Sequence, residues 1–264
     1  MKHIIITGAA GGIGLACTNY LSKNGYYVYA LDIKPMERIE NVESFVCDLT
    51  KRSDLEQVFA LIKDKSKIDA IIHLAGTYRM DSLIEIEEEK LRKVFDINFY
   101  SAYLVNKVFF PLLDKGSKIV IVSSELAPLD PLPFNSIYSL SKNTLEQYAF
   151  SLGQELNLLG IKVIVVRPGA IDTGLIDESM KNVERIEKET ILYQDNAKLF
   201  KKIVAKNEAK TIPPLKLAKL IDAIIIKKRN RLVYSINLNI KLIILSMLPR
   251  RWQLAIIKKM ITPR

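Results

Sequence analysis

The chain has 264 residues, of which 49% are hydrophobic and 8% aromatic, which excludes a disordered chain and suits one buried core better than two small ones. Its net charge of +10 is unevenly spread: residues 201–264 hold sixteen Lys and Arg against Glu208 and Asp222, a net +14 that leaves the first 200 residues at −4. No nucleic-acid motif accompanies this basic tail, which argues against a nucleic-acid partner, and Cys17 and Cys47 lack metal-ligand spacing, so neither a metal nor a disulfide is expected and the compartment reads as reducing and cytoplasmic.

Met1, Lys2 and the apolar run after them superficially resemble a signal peptide, but Gly8, Gly11, Gly12 and Gly14 interrupt the run. Residues 3–7 instead predict a buried strand that enters Gly8-Ala9-Ala10-Gly11-Gly12-Ile13-Gly14 and opens a helix at Gly12. Glycines in that place let the backbone approach a pyrophosphate and aim helix N-terminal N–H groups at it. A second strand, 27–32, ends on Asp32, eighteen residues after Gly14. A carboxylate there accepts hydrogen bonds from adenosine ribose hydroxyls and repels a 2′-phosphate by roughly 4 kcal/mol at about 4 Å and an effective dielectric near 20. NAD is therefore expected over NADP, a preference that Lys34, two residues on, weakens without reversing.

Further strands are predicted at 44–47, 70–74, 118–123, 162–167 and 232–235, with helices beginning at Arg52, Glu88, Asn98, Ser136 and Leu215. Alternating strands and helices predict a doubly wound parallel sheet of about seven strands with helices on both faces, a single-domain Rossmann fold over residues 1–235. Several strands are apolar without alternation, as strands covered on both faces must be. Residues 175–210 are polar, helical in pattern and poor in core signals, the character of a substrate lid. Residues 236–264 read as a basic, apolar extension of the same domain.

Tyr138 and Lys142 stand four apart, on one face of the helix that starts at Ser136. A phenol ionises near pH 10 and an adjacent ammonium stabilises the phenolate, so the spacing predicts a tuned acid/base with a lowered phenol pKa. His73, at a strand end, is expected to be a hydrogen-bonded structural residue.

Taken together, these residues resemble the short-chain dehydrogenase/reductase family over residues 1 to about 175. Thr7, Gly8, Gly12, Ile13 and Gly14 match its cofactor turn, and Cys47-Asp48-Leu49-Thr50 matches a segment whose aspartate contacts adenine. His73-Leu74-Ala75-Gly76 stands where the family has Asn-Asn-Ala-Gly, placing Ala75 and Gly76 beside the cofactor. By resemblance Asn98 supports the catalytic lysine through a water, Ser124 orients the substrate carbonyl, and Pro168, Gly169, Ile171 and Thr173 line the nicotinamide side. Ser124 precedes Tyr138 by fourteen residues where the family usually has about thirteen, so the Pro-rich loop between them must absorb one. Gly8, Gly11 and Gly14 also satisfy the glycine spacing of the sugar-nucleotide branch, against which the chain length and the Pro-Gly-Ala-Ile-Asp-Thr segment weigh.

The resemblance implies an oxidoreductase that interconverts a secondary or allylic alcohol and a carbonyl. Tyr138 handles the proton, while Lys142 holds the nicotinamide ribose and tunes the phenol. The tail resembles that of the steroid and retinol dehydrogenases, so a small lipophilic substrate such as a steroid, bile acid or retinoid is expected. A 3-oxoacyl-thioester reductase, a sugar-nucleotide enzyme and a non-catalytic NAD sensor are the alternatives. A homodimer or homotetramer is expected, and the apolar, basic tail suggests peripheral contact with the inner face of a membrane.

Overall fold

The seven apolar runs assemble into one parallel sheet. In the computed structural model its strands are β1 (Lys2–Thr7), β2 (Tyr26–Asp32), β3 (Val42–Val46), β4 (Ile68–His73), β5 (Leu113–Val122), β6 (Lys162–Pro168) and β7 (Val233–Ile236), in the order β3-β2-β1-β4-β5-β6-β7. The structure describes residues 1–173, 175–206 and 210–263; Gly174, residues 207–209 of the expected lid and Arg264 of the basic extension lie outside the described residues. Ten helices connect or extend the described strands: α1 (Gly12–Lys23), α2 (Arg52–Ile62), α3 (Glu88–Phe95), α4 (Ser101–Phe109), α5 (Ser136–Asn157), α6 (Leu175–Glu189), α7 (Gln194–Lys206), α8 (Pro214–Ile226), α9 (Ile240–Ser246) and α10 (Arg250–Ile261).

Alternation within each strand divides the core in two. Ile5, Leu31, Ile71, Ile119, Ile121 and Val165 pack on one face against Leu55 of α2, Val105 and Phe109 of α4, and Leu145 and Ala149 of α5. Ile4, Ile6, Val28, Ile72, Val120 and Ile164 face the other way, against Cys17 and Leu21 of α1 and Leu217 and Ile221 of α8. Burial on both faces explains why these runs are apolar throughout. Both cysteines are free and buried, and burial pushes each thiol up to about 12.

Strand order reverses between β2 and β4, with β1 paired to both, so a crevice opens at the carboxyl end of β1 and β4. Three local features depart from the sequence reading. Asn98 does not begin a helix: a π turn (Asp96–Tyr100) joins α3 to α4 and carries it, the kind of bulge that re-aims a side chain. Strand β5 begins at Leu113, five residues before the expected Lys118, with a register shift against Ile68 and Ala70 and Gly116 at φ +99° in its first half. Residues 175–206 are not poor in core: Val183, Ile186, Ala197 and Phe200 of the α6–α7 pair bury themselves against Met80 and Phe134, forming a third, smaller cluster.

Candidate active site

The crevice is built first from glycines that no other residue could replace. Gly8 holds φ +68°, and a Cβ there would stand 2.7 Å from Ala75 backbone atoms; at Gly14 it would stand 1.9 Å from the Gly8 carbonyl oxygen. Gly12 is packed against Thr173, whose Cβ would lie 2.9 Å from an added methyl. The result brings the glycine turn, the end of β4 and the loop after β6 together as the sequence pattern requires. Helix α1 has no side-chain cap, so its first-turn N–H groups, Gly12, Ile13 and Gly14 among them, keep their donor capacity for an anion. Gly11 closes the turn by donating from its N–H to Gly8 O at 3.2 Å.

Asp32 is buried at the end of β2. Its Oδ2 accepts from Ala10 N and its Oδ1 from Lys34 N, both at 2.9 Å, so the carboxylate is locked beside the glycine turn with lone pairs to spare. Asp48 is held similarly, Oδ1 accepting from Thr50 N at 3.0 Å and Thr50 Oγ1 at 2.7 Å, with Leu49 buried next to it. On the other side, Pro168, Gly169 and Ile171 form a loop tied to the start of the tail. Gly169 N donates to Ile236 O at 2.9 Å, Asn237 Nδ2 donates to Ala170 O at 2.8 Å, and Ile171 bridges to Ile212. This arrangement fits a dinucleotide: glycine-lined N–H donors for the pyrophosphate and a fixed carboxylate for a ribose diol.

The second constellation lies at the end of β5 and the first turn of α5. Ser124 is buried at the strand end, its Oγ accepting from Leu126 N at 3.2 Å, and its hydroxyl lies near enough to the Tyr138 phenol to oppose the effect of burial on it. The loop between them passes through Phe134, a non-glycine residue at φ +64°. Lys142 is buried one turn beyond Tyr138, its Nζ donating to Val122 O at 3.2 Å and lying 6.0 Å from the Tyr138 ring centroid. Burial pushes the Tyr138 phenol up to about 12, opposed by the Ser124 hydrogen bond, and pulls Lys142 down to about 8. The sequence expectation of a lowered phenol is thus reversed here, because desolvation of the phenol is the largest influence on it and the Ser124 hydrogen bond offsets only part of that.

Asn98 is set by the π turn so that Oδ1 accepts from Thr77 N at 2.7 Å while Nδ2 donates to Thr77 O at 3.0 Å and Ser141 Oγ at 2.8 Å. Its direct partners are therefore the loop after Gly76 and helix α5. A Cβ on Gly76 would meet Lys142 Nζ at 3.2 Å and Asn98 Oδ1 at 3.3 Å, so Gly76 is the surface against which both rest. His73 is buried, with Nε2 2.8 Å from Asn106 Oδ1. Burial lowers it to about 4: it is neutral, structural and outside the proton path, as expected.

Two neighbours escape a sequence reading. The Tyr78 ring stands edge-on to Tyr138 with centroids 4.8 Å apart, and Glu125, directly after Ser124, accepts from Asn239 N at 2.5 Å. Their roles come from contacts across the fold, and no spacing announces them. Among the described residues no group of His, Cys, Asp or Glu could hold a metal ion.

Known proteins share the chain's sequence pattern and fold. The short chain dehydrogenase family matches residues 2–184. The chain is similar to 3-ketodihydrosphingosine reductase of Bacteroides thetaiotaomicron, 31% identical over 228 residues that cover 85% of this chain and 84% of that protein. It is also similar to estradiol 17-beta-dehydrogenase 2 of Rattus norvegicus, 28% identical over 204 residues, 72% of this chain and 53% of that protein. A solved short chain dehydrogenase family protein from Francisella tularensis superposes with a TM-score of 0.74 at 27% identity, covering 89% of this chain and 97% of that one.

Proposed function

The chain belongs to the short-chain dehydrogenase family and is an NAD(P)-dependent oxidoreductase acting on alcohol and carbonyl groups, and from that premise we propose that it uses NAD and that its substrate is a lipophilic secondary or allylic alcohol, or the matching ketone, of steroid, bile-acid, retinoid or similar character. The cofactor half rests on Asp32, whose locked carboxylate would stand against a 2′-phosphate. The substrate half rests on the apolar loop between Ser124 and Tyr138, whose Leu126, Leu129 and Leu132 meet Leu242 and Leu245 of α9 at a narrow cleft that Asp130, Asn135 and Gln253 also border. The relatives named for 3-ketodihydrosphingosine and estradiol support the same class.

The nicotinamide cofactor, when bound, supplies the hydride chemistry. Gly8, Gly11, Gly12, Ile13 and Gly14 would hold its pyrophosphate, Asp32, Asp48 and Leu49 its adenosine, and Ala75, Gly76, Lys142, Pro168, Gly169, Ile171 and Thr173 its nicotinamide half. In carbonyl reduction Tyr138 gives its proton to the substrate oxygen, and in oxidation it takes one. Ser124 donates to the same oxygen and fixes it beside the phenol. Lys142 would hold the nicotinamide ribose hydroxyls and, as a cation, stabilise the phenolate, while Asn98 and Ser141 keep α5 in place.

In assembly the protein is a homodimer or homotetramer, a reading supported by the exposed, stacked rings of Tyr100 and Tyr103 beside α4.

Initial rates with NAD and NADP across steroids, bile acids, retinol, long-chain keto amines, short alcohols and hydroxyacyl thioesters test the reading. Turnover with NAD and a bulky apolar alcohol is expected, with Tyr138→Phe reducing it at least a hundredfold while NADH binding stays within severalfold. Faster turnover with NADPH than NADH at equal low concentration would overturn the cofactor half. Activity confined to thioesters or sugar nucleotides would overturn the substrate half.

A further inference from the structure

Among the described residues no helix is long and apolar enough to cross a membrane, yet the last two helices expose apolar side chains in ordered rows. Helix α10 is fixed to the body along one stripe, with Gln253 buried and Ile257 and Ile261 partly so. Gln253 Nε2 donates to Asp130 Oδ2 and Leu248 O, and Asn196 Nδ2 of α7 donates to Ile261 O. At 100° per residue, Trp252, Ile256 and Met260 then share one flank of α10, and all three are exposed, Trp252 at 62%. Arg251, Lys258 and Lys259 occupy the adjoining outward face and are exposed too. In α9 and the residue after it, Ile240, Ile244 and Met247 share a face, with Met247 at 79% exposure.

We propose that the α9–α10 hairpin is the face on which this protein docks to an anionic lipid surface. Charge decides between occupants. From Ala223 to the last residue the chain has ten Lys and Arg and not one Asp or Glu, so a second copy laid on this face would bring two sets of like charge together. A bilayer with anionic headgroups satisfies both components, taking the apolar rows into the headgroup boundary while the cations meet phosphates. Trp252 between two arginines and an apolar stripe has the amphipathic surroundings that place indoles at such interfaces. Rows this regular are more than the scattered apolar residues any monomer carries.

The placement also gives the docking a consequence. The other side of α9, Leu242 and Leu245, faces the cleft with Leu126, Leu129 and Leu132, and Asn239, just before α9, is held by Glu125 beside Ser124. A lipid surface on the hairpin would therefore lie one helix away from the Ser124 loop. The docking itself stands apart from the reading of substrate and cofactor, and its test uses no turnover.

Trp252 is the only tryptophan in the chain, so intrinsic fluorescence of the full-length protein reports on this helix alone. Titration with phosphatidylcholine vesicles with and without phosphatidylglycerol, together with co-sedimentation, is the experiment. Binding with a blue-shifted Trp252 is expected on the anionic vesicles only, weakening as salt rises. Three charges at about 1 kcal/mol each predict that R251Q/K258Q/K259Q binds on the order of 100-fold more weakly. I244E/I256E, with an unchanged circular dichroism spectrum, should also bind more weakly. Protein left in the supernatant with unshifted fluorescence would overturn the proposal, and so would equal binding to neutral vesicles. A blue shift that grows with protein concentration without lipid, alongside a doubled mass in sedimentation, would assign the face to a second copy instead.

Discussion

Tyr138 and Lys142 are both displaced toward their neutral forms by the same burial, the phenol to about 12 and the amine to about 8. A largely protonated phenol at neutral pH suits proton donation, so carbonyl reduction should be nearly flat between pH 6 and 8, whereas alcohol oxidation, which needs the phenolate, should climb over the same range. Flat oxidation rates measured under saturating cofactor would remove Tyr138 as the base. The shift of Lys142 also has a stability sign. Below pH 8 both folded and unfolded chains carry its proton and the burial penalty is fully present; between 8 and 10.5 the folded amine is neutral while the unfolded one is charged, and the penalty fades. Lys142→Met should therefore melt several degrees higher at pH 7, by up to about 3 kcal/mol, with the gain shrinking toward pH 10 and turnover lost. A lower melting point at pH 7 would contradict the buried-amine account. His73 carries a dependence of the same sign in a lower window: with a folded value near 4, its contribution to stability is fully present above 6.5 and is lost as pH falls toward 4. His73→Gln, still able to bond Asn106, should flatten that loss by about 3 kcal/mol and keep turnover within severalfold. Tyr138, Lys142 and Asp32 were legible because helical spacing and a strand end announce them, and Ser124 through its resemblance to the family's serine. Tyr78 and Glu125 were not, since a ring contact and a bond to Asn239 exist only after residues far apart in sequence meet.

Among the elements, the α6–α7 pair departs most from its sequence pattern. Its helical period was readable, but its core was not, because Val183, Ile186, Ala197 and Phe200 are sparse within a polar stretch and find partners only in Met80 and Phe134. The pair is pinned at its turn by a single carboxylate. Glu85 accepts from Thr190 Oγ1 at 2.6 Å, Ile191 N at 2.7 Å and Leu192 N at 2.9 Å, and those bonds hold its charge well within the ionised range. A second tie runs from Arg185 to Asp81 and to Met80 O. Because Tyr78 beside the phenol and Met80 under the helix pair share one short loop, loosening the turn should disturb substrate retention more than chemistry. Glu85→Ala is expected to speed hydrogen exchange across α6 and α7 and to raise KM severalfold with kcat within twofold. An unchanged KM with a collapsed kcat would show that the pair positions the reacting groups instead. The π turn at Asn98 was equally hidden: one residue inserted in a helix leaves the apolar pattern nearly intact while rotating the residues of α4 about the helix axis.

At the scale of the whole molecule, a parallel sheet covered on both faces was legible because every central strand is apolar on two faces, whereas the order of the strands and the way the tail closes the sheet were not. Strand β7 ends at Ile236, one residue later than the pattern suggested, and Ile236, Asn237 and Asn239 are structural ties. Gly169 N donates to Ile236 O, Asn237 Nδ2 to Ala170 O and Lys210 O, and Asn239 N to Glu125. Gly169 is so close that a Cβ there would fall 1.9 Å from Asn237 O. The basic extension is thus in two parts: a base that holds the loop carrying Pro168, Gly169 and Ile171, and a hairpin that covers residues 126–135 and α7. These parts should separate on truncation. A chain ending at Leu248 loses α10, the bonds of Gln253 to Asp130 and of Asn196 to Ile261, and the Ile261 contact with the small third cluster, a cost of about 2–3 kcal/mol at roughly 1 kcal/mol per bond. It should melt several degrees lower yet bind NADH within a fewfold. A chain ending at Ser235 cuts into β7 and leaves Gly169 N, Ala170 O and the Glu125 carboxylate without those partners, each a buried or partly buried polar group whose loss costs about 1–3 kcal/mol. It should melt far lower and lose NADH binding. Calorimetric melting and NADH fluorescence titration of the two truncations decide the matter, and equal NADH affinity in both would show that the tail's base does not support the nicotinamide loop.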